Sequence, residues 1–173
     1  MIERDEYLAA TNKISYEMID VLNKWLQNEM ANLNSYIENP EGHIMYNKFI
    51  SPDMQAVSSR LDMLDRSINA LTHISMYKKG SEDSTRVLHD LGFDTITAII
   101  FERLLEWMDN RLDSLVSDYQ KQKMGVPMSE YSQLATFNGV LFQETLKMYS
   151  DSIQGVKTVI EYKKQQITYD HVD

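Results

Sequence analysis

Residues 51–80 read SPDMQAVSSRLDMLDRSINALTHISMYKKG, and this stretch decides the fold class that the sequence predicts. Large apolar residues recur in it at alternating steps of three and four, which places them on one side of an α-helix. Ser51 and Pro52 suit the helix start, and Gly80 suits its end because glycine readily adopts the left-handed conformation that terminates helices. Such a narrow seam is typical of a coiled coil or a bundle of long helices. Its members are Met54, Val57, Leu61, Leu64, Ile68 and Leu71.

The same apolar spacing continues through the chain and predicts an all-α protein of four long helices and one short helix. The predicted helices span residues 3–38, 52–79, 82–91, 95–123 and 129–168. Only 6 glycines and 3 prolines are present, and they cluster mainly between these segments, which favours helices over many short strands. Because short loops favour antiparallel neighbours, we expect a single up-down-up-down bundle domain across residues 1–173. The unequal helix lengths leave room for a second copy to complete it as a homodimer.

Three glycines lie at informative positions in this pattern. Gly92 is predicted to stop the short helix, whose start is assigned to Ser81 and the two acidic residues after it. Gly139 and Gly155 lie inside the last long helix, where each costs about 1 kcal/mol relative to alanine. They therefore indicate either a close approach of another helix or a bend.

Composition and charge exclude several classes of function. The chain has no cysteine, so disulfides, thiol catalysis and thiolate metal sites are excluded. A net charge of −9 disfavours nucleic-acid binding, and the lysines form no polybasic patch that would favour a membrane surface. The acidic opening residues are unlike a signal peptide, and no apolar run approaches the roughly 20 residues that span a bilayer. We expect a soluble cytoplasmic protein.

The connection at residues 43–50 is unusually apolar for a loop. One interpretation is that it folds back and plugs the end of the bundle, since exposed contiguous apolar patches are rare on monomers. The other is an exposed anchor for a protein partner, because aromatic and methionine side chains dominate interface hot spots. The candidate partner-binding residues are Ile44, Met45, Tyr46, Phe49 and Ile50.

Four carboxylates of the third long helix form a candidate metal site. Glu102, Glu106, Asp109 and Asp113 are spaced by four, three and four, so they share an arc of about 60°. Such oxygen ligands suit Mg²⁺ if another helix supplies facing carboxylates. Glu106-Trp-Met-Asp109 resembles the second half of the acidic pattern of the all-helical MazG-type nucleotide pyrophosphatases, but the upstream Glu-x-x-Glu has no counterpart at a suitable distance. A solvated helix flank explains the same residues.

His89-Asp90 resembles the His-Asp dipeptide of the HD phosphohydrolases, which are also all-helical. The resemblance covers four residues, and the family's upstream histidine and downstream aspartate have no counterparts at matching distances. A short amphipathic helix accounts for the same residues.

Three functional hypotheses follow from the sequence. The first is a non-enzymatic protein that acts through a protein partner or self-association, as an assembly, scaffold or inhibitory factor and with no cofactor. Its small size, helical pattern and richness in Met, Asn and Tyr are also typical of phage and mobile-element proteins. The second is a Mg²⁺-dependent nucleotide phosphohydrolase that uses the third-helix carboxylates. The third is a ligand sensor with a pocket inside the bundle.

Overall fold

A computed structural model describes residues 1–38, 54–123 and 139–170 of the chain. No strand occurs in these ranges, so the all-α prediction is confirmed. Four of the described helices are long and two have ten residues each. In chain order they are α1 (Arg4–Lys13), α2 (Tyr16–Glu38), α3 (Met54–Lys78), α4 (Arg86–Thr95), α5 (Ala98–Lys123) and α6 (Gly139–Asp170).

The prediction of one helix over residues 3–38 is wrong, because the chain leaves the helical path between α1 and α2. Ile14 has extended backbone angles, with φ −78° and ψ 119°, and its side chain is buried. The next backbone N–H, that of Ser15, donates to the buried Oγ of Ser152 on α6 at 3.1 Å. No glycine or proline marks this break. Its cause is therefore packing against a helix far away in the sequence.

The short helix is also displaced from its predicted position at residues 82–91. It begins after Thr85, whose Oγ accepts from the backbone N–H of Leu88 at 3.3 Å, so Thr85 provides the cap that was assigned to Ser81. Gly92 does not stop the helix but lies inside it. A Cβ at Gly92 would lie 2.9 Å from the carbonyl oxygen of Ala70, so this glycine lets α4 approach α3 closely.

The other helix ends lie near their predicted positions. Gly80 has φ +78°, as predicted for a left-handed helix stop. The N–H of Ser81 donates to the Met76 carbonyl and that of Gly80 to the Tyr77 carbonyl, both at 3.0 Å, which is the pairing of a Schellman motif. α5 begins three residues later than predicted, and residues 52–53 and 129–138 lie outside the described ranges.

The described residues divide into two compact units, Tyr16–Ile96 and Met1–Ser15 together with Thr97–Asp173. The first, the α2–α4 unit, contains an antiparallel pair. Arg60 of α3 lies 3.5 Å from Glu29 of α2, and Lys79, just beyond α3, lies over the ring of Tyr16 at the start of α2. Burying each large apolar side chain of its core contributes about 1.5–3 kcal/mol. These residues include Met18, Ile19, Leu22, Leu26, Leu33, Tyr36, Leu64, Leu71, Ile74 and Phe93.

In the second unit, the α1–α5–α6 unit, the long helix α6 packs against both α1 and α5. Antiparallel contacts join α6 to α5, where the rings of Tyr119 and Phe142 stack with centroids 4.6 Å apart. Of the two explanations that the sequence left open for Gly155, the structure supports a close approach of another helix. A Cβ there would lie 2.6 Å from the carbonyl oxygen of Ala10 on α1. The buried core of the α1–α5–α6 unit includes Tyr7, Ile14, Ile100, Phe101, Leu104, Met108, Val156 and Val159.

Among the helices of the described ranges, none combines the length and the apolar character needed to cross a bilayer.

Candidate functional site

The sequence-predicted site residues fall in two places. The apolar loop residues Ile44, Met45, Tyr46, Phe49 and Ile50 lie outside the described residues. The four carboxylates lie on α5, where Glu102 pairs with the ammonium of Lys164 on α6. In the described part of the chain, no group of three or more histidine or carboxylate side chains is arranged to hold a metal ion. The magnesium site stays a hypothesis of the sequence.

The structure brings together a different set of chemical groups where α3 meets α4. We call it the corner cluster, and its ring and charge contacts lie within one compact unit. Two members come from the last turn of α3 and four from α4. The corner cluster consists of Tyr77, Lys78, Arg86, His89, Asp90 and Phe93.

Local sequence positions these groups on one side of α4. The Thr85 cap fixes the first turn, and Arg86 then lies one turn before Asp90, so their side chains meet at 3.0 Å. His89 and Phe93 are again four residues apart, with ring centroids 5.0 Å from each other. The guanidinium of Arg86 also lies 5.8 Å from the centroid of the Tyr77 ring. Helical spacing on α4 therefore carries the charges and rings to the end of α3.

His89 is the centre of the cluster. Its side chain is fully buried, and its ring lies 4.8 Å from that of Tyr77 between centroids. Nδ1 is 2.9 Å from the Asp90 carboxylate, which assigns the proton of a neutral ring to Nδ1 because the ionised carboxylate can only accept. Nε2 is buried and has no hydrogen-bond partner among the described residues. The ring is thus held at one nitrogen and unsatisfied at the other.

The electrostatics of the corner disfavour additional positive charge. Burial lowers the pKa of His89 below its usual value, against the hydrogen bond that its ring donates to Asp90, and the nearby Lys78 and Arg86 lower that pKa further. Burial also lowers the pKa of Lys78 from 10.5 to about 8, with the charge of Arg86 acting in the same direction. Of the charged groups that act on His89, two are cations, Lys78 and Arg86, and one is a carboxylate, Asp90.

These contacts bear on the resemblance of His89-Asp90 to a catalytic dipeptide. The Asp90 carboxylate is already engaged by Arg86 and by His89 itself, and the histidine side chain is sealed from solvent. The dipeptide here acts in packing α4 onto α3. Sequence reasoning missed the rest of the cluster, although the Arg86–Asp90 spacing of four is a local signal. The position of Lys78 could not be predicted, since no sequence pattern shows which aromatic ring lies beneath its ammonium group.

The opposite side of α4 is apolar and open. Val87 and Leu91, one turn apart, are 73% and 57% exposed, and we call this pair the α4 edge. The two sides of a ten-residue helix thus differ sharply, because the inner side is fixed by His89, Gly92 and Phe93 while the outer side meets solvent. Other large apolar residues with open side chains belong to the α1–α5–α6 unit. They are Met1, Ile99, Trp107, Val116 and Ile167.

In comparisons with protein-family models, curated proteins and solved structures, the chain matched none. Its function is therefore inferred from its own residues, of which the corner cluster and the α4 edge are the most distinctive.

Proposed function

We propose that this chain is a non-enzymatic helical-bundle protein that works by binding another protein, as an assembly, scaffold or regulatory factor. The observation that carries the proposal is the α4 edge. Val87 and Leu91 expose most of their side-chain surface on a helix that is anchored firmly from its other side. Apolar surface gains about 25 cal/mol per Å² when it is removed from water, so a fixed apolar pair favours association.

The geometry of the α4 edge defines the kind of partner that suits it. Two apolar side chains one turn apart on a short helix are typical of recognition in which a helix enters an apolar groove. Asp83 and Asp94 are exposed near the two ends of α4, and the chain carries a net charge of −9. Because opposite charges steer association and suppress wrong partners, we expect a groove with basic side chains at its rim.

The test compares a variant of the α4 edge with a control on a different exposed apolar surface. Val87→Asp with Leu91→Asp places two carboxylates on the α4 edge, and Ile167→Asp places one carboxylate at the exposed position 167 of α6. All three residues are exposed, so circular dichroism should show the wild-type melting temperature within a few degrees for both proteins. Quantitative affinity capture from the native host should then lose a specific protein with the α4-edge variant and keep it with the Ile167 variant. Equal capture by both variants would refute the proposal.

Two further proposals rest on the sequence: a second contact surface at residues 43–50, and self-association of the chain. Ile44, Met45, Tyr46, Phe49 and Ile50 are proposed as a further contact region for the partner or for a second copy. We also propose that the long helices belong to an up-down-up-down bundle that self-association completes. Light scattering on the purified protein tests the dimer. Tyr46→Asp with Phe49→Asp should leave the melting temperature unchanged and abolish the dimer, whereas unfolding would identify the loop as a core plug.

The magnesium-hydrolase hypothesis makes a different prediction. If Glu102, Glu106, Asp109 and Asp113 bind the metal, millimolar Mg²⁺ or Mn²⁺ should raise the melting temperature of the protein, because a ligand that binds only the folded state stabilises it. Glu106→Gln should then remove that increase. No increase at millimolar metal would favour the interaction protein over the enzyme.

A further inference from the structure

The corner cluster contains a side chain that is fully buried and that can also gain a proton near neutral pH. His89 is a fully buried group that can become charged, and its ring contacts the rings of Tyr77 and Phe93. Histidine is also the side chain whose usual pKa, about 6.5, lies within the physiological range of pH.

We propose that His89 is a pH-sensitive latch, and that protonation of its ring releases α4 from α3. The release concerns only contacts within the α2–α4 unit. It therefore holds whether or not the α4 edge binds a partner.

The hydrogen bonds of His89 supply the first reason. In the neutral ring, the Nδ1 proton is donated to Asp90 across 2.9 Å, and Nε2 carries only a lone pair. Protonation adds an N–H at Nε2, for which the described residues provide no hydrogen-bond acceptor. A buried charged donor without an acceptor is strongly destabilising, whereas the same N–H would be hydrated once α4 left α3.

The charges around His89 supply the second reason. The charged groups that act on it are Lys78 from α3, and Arg86 and Asp90 from α4 itself. Asp90 already accepts from Arg86 at 3.0 Å, so a histidinium would share one carboxylate with an existing cation. Lys78 lies with its ammonium 5.6 Å from the centroid of the Phe93 ring and would repel the new charge. Protonation would therefore add a positive charge to a ring that already lies close to two cations, Lys78 and Arg86.

The length of α4 explains why this element is the one released. It has ten residues, and isolated helices shorter than about 12–15 residues are marginal in water. α4 is therefore stable chiefly through the side that faces α3, to which His89, Gly92 and Phe93 contribute the buried residues. A change at His89 acts on the centre of that contact.

The direction of the pH dependence follows from linkage. Burial holds the pKa of His89 in the docked state below the value of about 6.5 that it regains when released. The released state therefore binds more protons, so docking is strongest above about pH 6.5 and weakens as the pH falls below it. One proton changes the docking equilibrium by at most about tenfold per pH unit.

Hydrogen exchange with mass spectrometry on the full chain tests the latch between pH 7.5 and 5. Exchange rates are corrected for the intrinsic effect of pH, and peptides from α5 report on stability outside the unit. We expect the protection of α4 to fall several-fold to about tenfold per pH unit below pH 6.5, while that of α5 changes little. His89→Phe keeps an aromatic ring in contact with Tyr77 and Phe93 but cannot be protonated, and should abolish the fall.

Two further variants secure the test. His73→Gln is the matched control, because His73 lies on α3 and its Nδ1 is also buried without a partner among the described residues. If His73→Gln abolishes the fall, or if His89→Phe does not, the proposal is overturned. Should His89→Phe fail to dock α4 at any pH, Lys78→Met decides. Removing that cation should raise the pKa of docked His89 and so reduce the total loss of α4 protection between pH 7.5 and 5, and a loss as large as in the wild type would overturn the latch.

Discussion

Replacing Lys78 with methionine should stabilise the protein at pH 7, although it removes a charge from the surface of α3. Burial, aided by the charge of Arg86, lowers the pKa of Lys78 from 10.5 to about 8. The folded protein at pH 7 must therefore hold a protonated amine in an environment that disfavours it. Methionine has a similar length and an apolar body, so it fills the same space above Phe93 without that cost.

The size of the effect follows from the pKa. A fall from 10.5 to about 8 corresponds to about 3 kcal/mol, because one pH unit corresponds to about 1.4 kcal/mol. Two effects reduce the gain. The ammonium group lies 5.6 Å from the centroid of the Phe93 ring, and such a cation–π contact contributes about 0.5–1 kcal/mol. Lys78 is also partly exposed, so water screens part of the penalty. We expect Lys78→Met to raise the free energy of unfolding by about 1–2 kcal/mol at pH 7.

The lowered pKa of Lys78 also determines how the difference in stability between variant and wild type depends on pH. Between about pH 8 and 10.5 the unfolded chain holds the Lys78 proton and the folded protein has released it. The wild type therefore gains stability as the pH rises through this window, and the variant lacks that gain. The advantage of Lys78→Met should be complete below about pH 8 and should shrink as the pH approaches 10.5.

The neighbouring lysine provides the control. Lys79 is exposed, and its contact with the Tyr16 side chain raises its pKa, so its charge is favourable in the folded state. Lys79→Met should leave stability unchanged or slightly lower at pH 7. Urea unfolding monitored by circular dichroism at pH 7 and 9.5 measures both variants. If Lys78→Met destabilises the protein at pH 7, or if its gain is equal at both pH values, the reasoning is refuted.

Two further predictions concern the contacts of α1 with α6. Gly155→Ala should destabilise the protein by about 1–3 kcal/mol in urea unfolding, because the added Cβ would lie 2.6 Å from the carbonyl oxygen of Ala10. Alanine also gains about 1 kcal/mol in helix propensity, but the cost of this overpacking is larger. Gln154→Ala, at the exposed neighbouring position, is the control. If Gly155→Ala stabilises the protein, α1 moves away from the added Cβ at little cost and the prediction is wrong. Ser152→Ala should lower the free energy of unfolding by about 1–3 kcal/mol, because the Ser15 N–H loses its hydrogen bond to the Ser152 hydroxyl. Ser150 is exposed, so Ser150→Ala should change stability little. Equal effects of the two variants would show that this hydrogen bond does not stabilise the fold.

The helical fold was predictable because its main signal is local. Apolar residues at steps of three and four identified the long helices, and Gly80 marked the end of α3 correctly. The failures share a physical cause, which is contact between residues distant in the sequence. Nothing local ends α1 at Lys13, since the break is held by a hydrogen bond from Ser15 to Ser152. Gly92 was misassigned because its closeness to Ala70 outweighs the usual role of glycine as a stop.

The corner cluster shows the same division between local and distant contacts. The Arg86–Asp90 and His89–Phe93 pairs follow from helical spacing within α4 and could have been predicted. The position of Lys78 over Phe93 could not, because it depends on how α3 and α4 cross. Because of this crossing, the ammonium group of Lys78 is partly buried close to Arg86, and its pKa is lowered. The function predicted from the sequence, binding to a protein partner, remains a prediction.

The two short helices should differ in their response to acid, although both are docked in similar ways. Each has ten residues, and each makes a close contact at a glycine, Gly155 for α1 and Gly92 for α4. The contact of α1 includes a stack of Tyr7 on Tyr162, with ring centroids 4.2 Å apart, and neither α1 nor α6 contains a histidine. The contact of α4 contains His89, a group that can gain a proton between pH 7.5 and 5. Acid should therefore release α4 and leave α1 docked, and protection of both helices in one exchange experiment would show it. If α1 and α4 lose protection together, general unfolding in acid, rather than a latch, explains the result.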